Sequence, residues 1–254
     1  MLSSWNEFQK QIHSDNLLFS RIKNQIESSL TNREEKIVDR NEISEQITEA
    51  SVLLPLIVSK KLWEDDVSDG LITDHIFLLL EKRSSKMTKN PGDMAFAGGK
   101  LDKNDSNLME TAYREAYEEV GIEKNELQFI SYMDEFVSTS KYIVRPVVSW
   151  LLTNHSGDGM REAIENEYRP KTSETENTVI IPLSHLLNPL NYSNLKFDLN
   201  SNITSNRFGY IRYFDIDKYL PKTKIWGLTA SMIRRFIDIT LPNNTLPYEA
   251  VLEE

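Results

Sequence analysis

The chain of 254 residues contains no cysteine, which excludes disulfides and thiolate metal sites and is compatible with a reducing compartment. It has no apolar run near the roughly 20 residues needed to cross a bilayer. Its longest candidates, "SVLLPLIV" and "HIFLLL", have the length of strands. Basic residues are in deficit: 29 Lys and Arg stand against 39 Asp and Glu, a formal net charge of -10. Such an acidic chain argues against broad binding to nucleic acid or to anionic membrane, although local cations suffice for one small phosphorylated ligand. The opening "MLSSWNEFQKQ" lacks a basic stretch followed by an apolar one, and the closing "YEAVLEE" is not a peroxisomal address. The expectation from these absences is a soluble cytoplasmic protein without a nucleic-acid or membrane partner.

What is present is a mixture of strand and helix signals without internal repeats. Trp5, Phe8, Ile12, Leu17, Phe19, Ile22, Ile26 and Leu30 follow helical spacing, "TNREEK" breaks it, and "NEISEQITEA" reads as a second helical stretch ending near Ala50. Residues 1–50 are therefore expected to form a helical extension, a cap or a contact between subunits. Strands are expected in "SVLLPLIVSKKLW", "DHIFLLLEKRS", "LQFISYMDEFV", "YIVRPVVSWLL" and "FGYIRYFDI", and "TVIIPLSHLL" reads as a strand running into a short helix. Residues 154–177 are polar and rich in turn formers. "IWGLTASMIRRFIDI" is an amphipathic helix, with Trp226 expected in the core and Arg234 and Arg235 on a solvated face. Without the regular alternation of a doubly wound fold, the pattern fits an α+β sandwich with a mixed sheet, over residues 51–254.

The chemistry concentrates between Asn90 and Ile122, "NPGDMAFAGGKLDKNDSNLMETAYREAYEEVGI". Glu115, Glu118 and Glu119 stand at i, i+3 and i+4, so a helix places them on one face. Like charges this close repel unless a cation sits among them, and oxygen-only ligands suit Mg²⁺ or Mn²⁺. Arg114 is placed to pair with Glu110 and Glu118, four residues away on either side. Asn107 and Gly121 are the expected caps. Upstream, Gly98 and Gly99 let backbone approach a phosphate, and Lys100 sets a cation beside it. A glutamate-rich helix after a glycine pair is also the ordinary pattern of a turn and a solvated face; the combination and its spacing favour a site. His75, His155 and His185 show no ligand spacing. Tyr132, Phe136 and Tyr142 could stack on an adenine, with core packing the plainer reading.

"GGKLDKNDSNLMETAYREAYEEVGI" resembles the signature of the Nudix hydrolases: a glycine, a distant acidic position, then Arg-Glu-x-x-Glu-Glu-x-Gly-aliphatic. Arg114 to Ile122 matches in full, Asp105 stands near the usual first glutamate, and the spacing from Gly99 to Arg114 is one residue longer than the general pattern. The longer form, and "LLLEKRSSKMTKNPGDMAFAGGK" before it, are similar to the coenzyme A pyrophosphatase branch, with Leu79, Leu80, Arg83, Ser84, Gly92, Phe96, Gly98 and Gly99 fitting. Two positions depart: Ala97 stands where a proline is usual, and Thr88 where a second arginine is usual, with Lys86 or Lys89 as substitutes. The similarity covers roughly residues 50 to 240.

The resemblance implies a Nudix-type α/β/α sandwich and metal-dependent hydrolysis of a diphosphate linkage in coenzyme A or its thioesters. It implies Mg²⁺ or Mn²⁺ on Glu115, Glu118, Glu119 and the Gly98 carbonyl. Glu118, Glu119 or the distant Glu174 would be the base, and Arg83, Lys100 and Gly99 would contact substrate. Another diphosphate substrate (ADP-ribose, a dinucleotide or a nucleoside triphosphate), or a non-catalytic nucleotide-binding domain, is the alternative. A homodimer is the expected assembly.

Overall fold

A computed structural model describes residues 19–40, 47–66, 72–138, 141–198 and 208–241, without side chains for 194–198 and 208–211. The chain runs α1 (Phe19–Thr31), β1 (Thr48–Ser59), α2 (Lys60–Asp65), β2 (Phe77–Arg83), β3 (Met94–Ala95), β4 (Gly98–Lys100) and α3 (Leu108–Val120). It continues through β5 (Leu127–Tyr132), β6 (Phe136–Val137), β7 (Tyr142–Thr153), α4 (Met160–Glu167), β8 (Thr175–Pro182) and α5 (Leu183–Leu187). A second, smaller sheet of β9 (Tyr192–Asp198), β10 (Phe208–Asp215) and β11 (Lys224–Trp226) precedes α6 (Gly227–Thr240).

The main sheet has the order β3-β2-β1-β7-β5, with β4 also on β1, β6 on β7 and β8 on β2. β1 and β7 run parallel over their whole length and the other pairs are antiparallel, so the sheet is mixed. β1 is apolar on both faces because both are covered. Its Pro55 falls between the segment paired with β4 (Ala50 to Val52) and the segment paired with β2 (Leu56, Ile57), where no ladder bond needs its missing N–H. One face packs Leu53, Ile57, Leu79, Val147 and Ile180 against Ala112, Ala116 and Val120 of α3 and Ile164 of α4. The other packs Leu54, Leu56, Leu78 and Val148 against Phe19, Ile26 and Leu30 of α1 and Ile233, Phe236 and Ile237 of α6. The layers are therefore α/β/α, the expected sandwich. Among the described residues no helix is long and apolar enough to cross a membrane.

Several local expectations change. Thr48 to Ala50, expected at the end of a helix, are strand, since Ala50 pairs with both Lys100 and Val144. "SKKLW" leaves β1 as α2, because Ser59 caps it by accepting from the Leu62 N–H at 3.0 Å. Trp226 is not core: it closes β11 at 46% exposure and its indole donates to Asp93 at 3.1 Å. Arg234 is buried and pairs with Asp238, and Arg235 reaches Asp134, so acidic partners draw both away from the expected solvated face. The early helical positions Trp5, Phe8, Ile12 and Leu17 lie outside the described residues.

Candidate active site

The site forms where the glycine strand β4 lies against α3. Asn107 starts α3 by accepting from the Glu110 N–H at 3.0 Å, and Gly121 ends it at φ 82°, donating to the Ala116 and Tyr117 carbonyls. These stops fix the helix so that Glu115 and Glu119, one turn apart, face β4. Both glycines are required by contact. A Cβ on Gly98 would stand 2.3 Å from the Ser51 carbonyl oxygen, and one on Gly99 would stand 2.2 Å from a Glu115 carboxylate oxygen. In return the Gly98 N–H donates to Glu119 Oε2 at 2.9 Å.

Three carboxyls, Glu81, Glu115 and Glu119, stand near this junction with too few donors. Burial pushes the Glu119 carboxyl up to about 8, Glu81 pushes further, and the Gly98 N–H pulls back. Burial likewise raises Glu81, with Thr175 and Arg83 opposing and Glu174 and Glu115 reinforcing. It raises Glu115 too, against the pull of Arg114. Glu81 and Glu119 thus cannot both ionise cheaply, which holds both carboxyls above their ordinary range.

Arg114 organises the outer edge. It donates to Asp105 from Nε at 3.1 Å and Nη2 at 3.0 Å, and to Glu115 at 2.8 Å and Glu118 at 3.2 Å. Asp105, also bound by Thr111 and the Asp102 N–H, is held at about 2, chiefly by Arg114. The expected Arg114–Glu110 pair does not form, because Lys124 takes the Glu110 carboxylate at 2.5 Å. Glu118 is half exposed.

The remaining candidates divide. Arg83 lies 3.9 Å from Glu81 and its buried Nε has no hydrogen-bond partner. The Glu174 carbonyl accepts the Ser84 N–H at 2.6 Å, which holds that exposed residue beside the end of β2. Lys100 gives only its carbonyl to this side, to Arg114 at 3.3 Å; its ammonium reaches Tyr142 instead. Glu81 was missed by the sequence reading. The available signal was one carboxylate in the apolar strand "FLLLEKR", two residues from Leu79 and hence on the same buried face.

This geometry agrees with the comparisons. The NUDIX domain profile matches residues 70–197, half of the chain. The chain belongs to the Nudix hydrolases. This Nudix hydrolase is 33% identical over 158 residues to the uncharacterized Nudix hydrolase NudL of Yersinia enterocolitica, covering 62% of the chain and 71% of that protein. It is 31% identical over 117 residues to the peroxisomal coenzyme A diphosphatase NUDT7 of Mus musculus, 46% of the chain and 45% of that protein. The match therefore spans less than half of the mouse protein. A C. elegans Ap4A hydrolase structure aligns at 16% identity over 54% of the chain and 83% of that protein, with a TM-score of 0.38, too low to carry an argument.

Nudix enzymes generally use divalent metal ions. Among the described residues no three His, Asp or Glu side chains converge as a ready metal cage. The donor set nevertheless fits a hard cation: it is all oxygen, and it leaves Glu115 and Glu119 short of positive charge.

Proposed function

We propose that this Nudix hydrolase cleaves the diphosphate linkage of coenzyme A or its thioesters, giving 3′,5′-ADP and a 4′-phosphopantetheine species. The observation that carries the chemistry is the under-neutralised Glu81–Glu115–Glu119 cluster facing the bare glycine strand. The substrate assignment is supported by the mouse relative and by the matched residues around Arg83. In this reading residues 51–254 are the catalytic unit, residues 1–50 an extension, and the setting cytoplasmic.

Glu115, Glu118, Glu119 and the Gly98 carbonyl would hold Mg²⁺ or Mn²⁺. When bound, such an ion neutralises the diphosphate and lowers the pKa of bound water. The protein's own contributions follow from contacts. Arg114 fixes Glu115 and Glu118 while Asp105 fixes Arg114. The partly exposed Arg83 guanidinium beside Glu81 offers donors to a phosphate oxygen. Gly99 lets the substrate approach backbone without a side chain in the way. Glu118 or Glu119 takes the proton of the attacking water, and Glu174, beside Arg83, is the third candidate base.

The test is hydrolysis of coenzyme A, 3′-dephospho-coenzyme A and ADP-ribose in parallel, with Mg²⁺ or Mn²⁺, by wild type and Glu118→Gln. Preference for coenzyme A that collapses in the variant supports the reading. Activity on ADP-ribose alone keeps the chemistry and overturns the substrate. Nucleotide binding without hydrolysis of any of the three overturns the enzyme reading in favour of a binding domain.

A further inference from the structure

Lys100 leaves β4 on the side away from the glutamates. Successive strand residues face opposite sides. Gly99, opposite Ser51, backs onto Glu115, so Lys100, opposite Ala50, takes the other side. There its ammonium stands 5.5 Å from the centre of the Tyr142 ring. Lys89, from the connection between β2 and β3, brings a second ammonium to 5.7 Å from the same ring. Tyr142 is fixed by the first rung of the parallel β1–β7 ladder, opposite Thr48. Lys100 and, less strongly, Lys89 hold the Tyr142 hydroxyl below the usual phenol range.

This arrangement is short of negative charge in a chain with an excess of it. Among the described residues, neither Lys89 nor Lys100 is paired with a carboxylate. The neighbouring acidic group, Glu49 on β1, is already engaged by Arg40 at 3.2 Å. Two ammonium groups beside one ring make a small basic patch, which a shared anion would neutralise. The donors suit a particular anion. A phosphate monoester carries close to two charges at neutral pH and three acceptor oxygens, which match two ammonium groups and a phenol hydroxyl. A carboxylate brings half the charge and two oxygens.

We propose that Lys89, Lys100 and Tyr142 form a clamp for a phosphate monoester carried by the substrate apart from its diphosphate. This rests on the hydrolase reading above and deepens it, since the clamp would separate diphosphates that bear an extra monoester from those that do not. Gly99, backed by Glu115, and Lys100 are successive residues of β4, which pairs with β1 alone among the described strands, so a ligand bent around this strand would meet both.

The experiment measures two things on the full chain. The first is binding of adenosine 3′,5′-bisphosphate and of AMP by calorimetry, without metal, for wild type, Lys89→Gln, Lys100→Gln and Tyr142→Phe. The second is the ratio of kcat/KM for coenzyme A over 3′-dephospho-coenzyme A in the same proteins, each checked for an unchanged Tm. Loss of one charge-assisted contact should shrink both preferences about tenfold per lysine, and less for Tyr142→Phe. Wild type that binds both nucleotides equally, or lysine variants that keep the wild-type preference, overturns the clamp. If no diphosphate is hydrolysed yet the bisphosphate preference is lysine-dependent, the clamp stands and the hydrolase reading falls. If hydrolysis proceeds with no lysine-dependent preference, the clamp falls and the hydrolase reading stands.

Discussion

Two groups of buried carboxyls in this molecule titrate in opposite directions. Glu119, at the glycine strand, is 7% exposed and its carboxyl is pushed up; Asp134, between β5 and β6, is 4% exposed and its carboxyl is held down. Burial raises both carboxyls, Glu119 more strongly, and the donors around Asp134 are what turn its shift downward. Asp134 accepts from the Lys36 N–H at 2.9 Å, from Arg33, and from Arg235 at 2.6 Å. Its neighbour Glu135 is held low chiefly by Arg40, with the Val38 N–H assisting. Glu119 has one backbone N–H and two other carboxyls for company. Asp134 and Glu135 rivet the segment after α1 onto the sheet. The glutamate cluster is left short of positive charge, which is where a charged ligand gains most.

The widest separation should come from neutralising one member of each group. Glu119→Gln keeps an oxygen for the Gly98 N–H but loses the charge. Hydrolysis should fall about 10²- to 10⁴-fold with no loss of Tm. Asp134→Asn strands Arg33 and Arg235 and should cost about 3–5 kcal/mol in denaturant unfolding, with hydrolysis retained below the lowered Tm. A Glu119→Gln protein as unstable as Asp134→Asn would erase the distinction.

The next effect separates the two glycines. At Gly98 an added Cβ meets the Ser51 carbonyl oxygen and the Val52 Cα, backbone that cannot give way, so Gly98→Ala should lose about 1–3 kcal/mol. At Gly99 it meets only the flexible end of Glu115. Gly99→Ala should leave Tm nearly unchanged while turning Glu115 aside and lowering kcat. Equal unfolding penalties would show that Glu115 is as rigid as the strand.

Much of this was legible in the sequence where a local rule sufficed. The caps Asn107 and Gly121, the Glu115–Glu119 face and the strand runs follow from short-range chemistry. Glu81 was not, because its role depends on β2 lying beside α3's partner strand, a contact set by long-range pairing. Trp226 was misplaced for a related reason: helical spacing continues through Ile225 and Trp226, but antiparallel pairing with Phe214 and Tyr213 claims those two residues for β11. β9, from a polar stretch, gave no periodic signal and exists through its pairing with β10.

A pH series tests both groups in one measurement. Glu119 has a raised folded pKa. Its stabilising protonated state is complete below about 4.5, and that contribution is lost as pH rises towards about 8. Asp134 and Glu135 have lowered folded pKa values. Their contribution is present above the ordinary carboxylate range and lost as pH falls below it. The Tm of metal-free protein should therefore peak in mildly acidic buffer and decline on both sides. Added Mg²⁺ or Mn²⁺ should raise Tm more at pH 8 than at pH 5.5, where it must displace protons, and EDTA should reverse it. A cation effect that is flat across this range would place the binding elsewhere.

The smallest effect is expected at Asp93, which lies between the two regimes with one side-chain donor. Burial raises its carboxyl, the Trp226 indole opposes first, and Arg83 second. Trp226→Phe removes the 3.1 Å indole bond and leaves the ring's contacts largely in place. The loss should be about 1 kcal/mol or less at neutral pH, because the bond is exposed. It should shrink as pH falls and Asp93 takes up a proton, since the indole favours the ionised carboxylate. With the indole gone, Arg83 becomes the main partner of Asp93 and is drawn towards β3, so KM should rise a few-fold while kcat holds. A variant whose stability loss does not change with pH would mean that the indole supports packing between β11 and β3 and has no hold on the charge of Asp93.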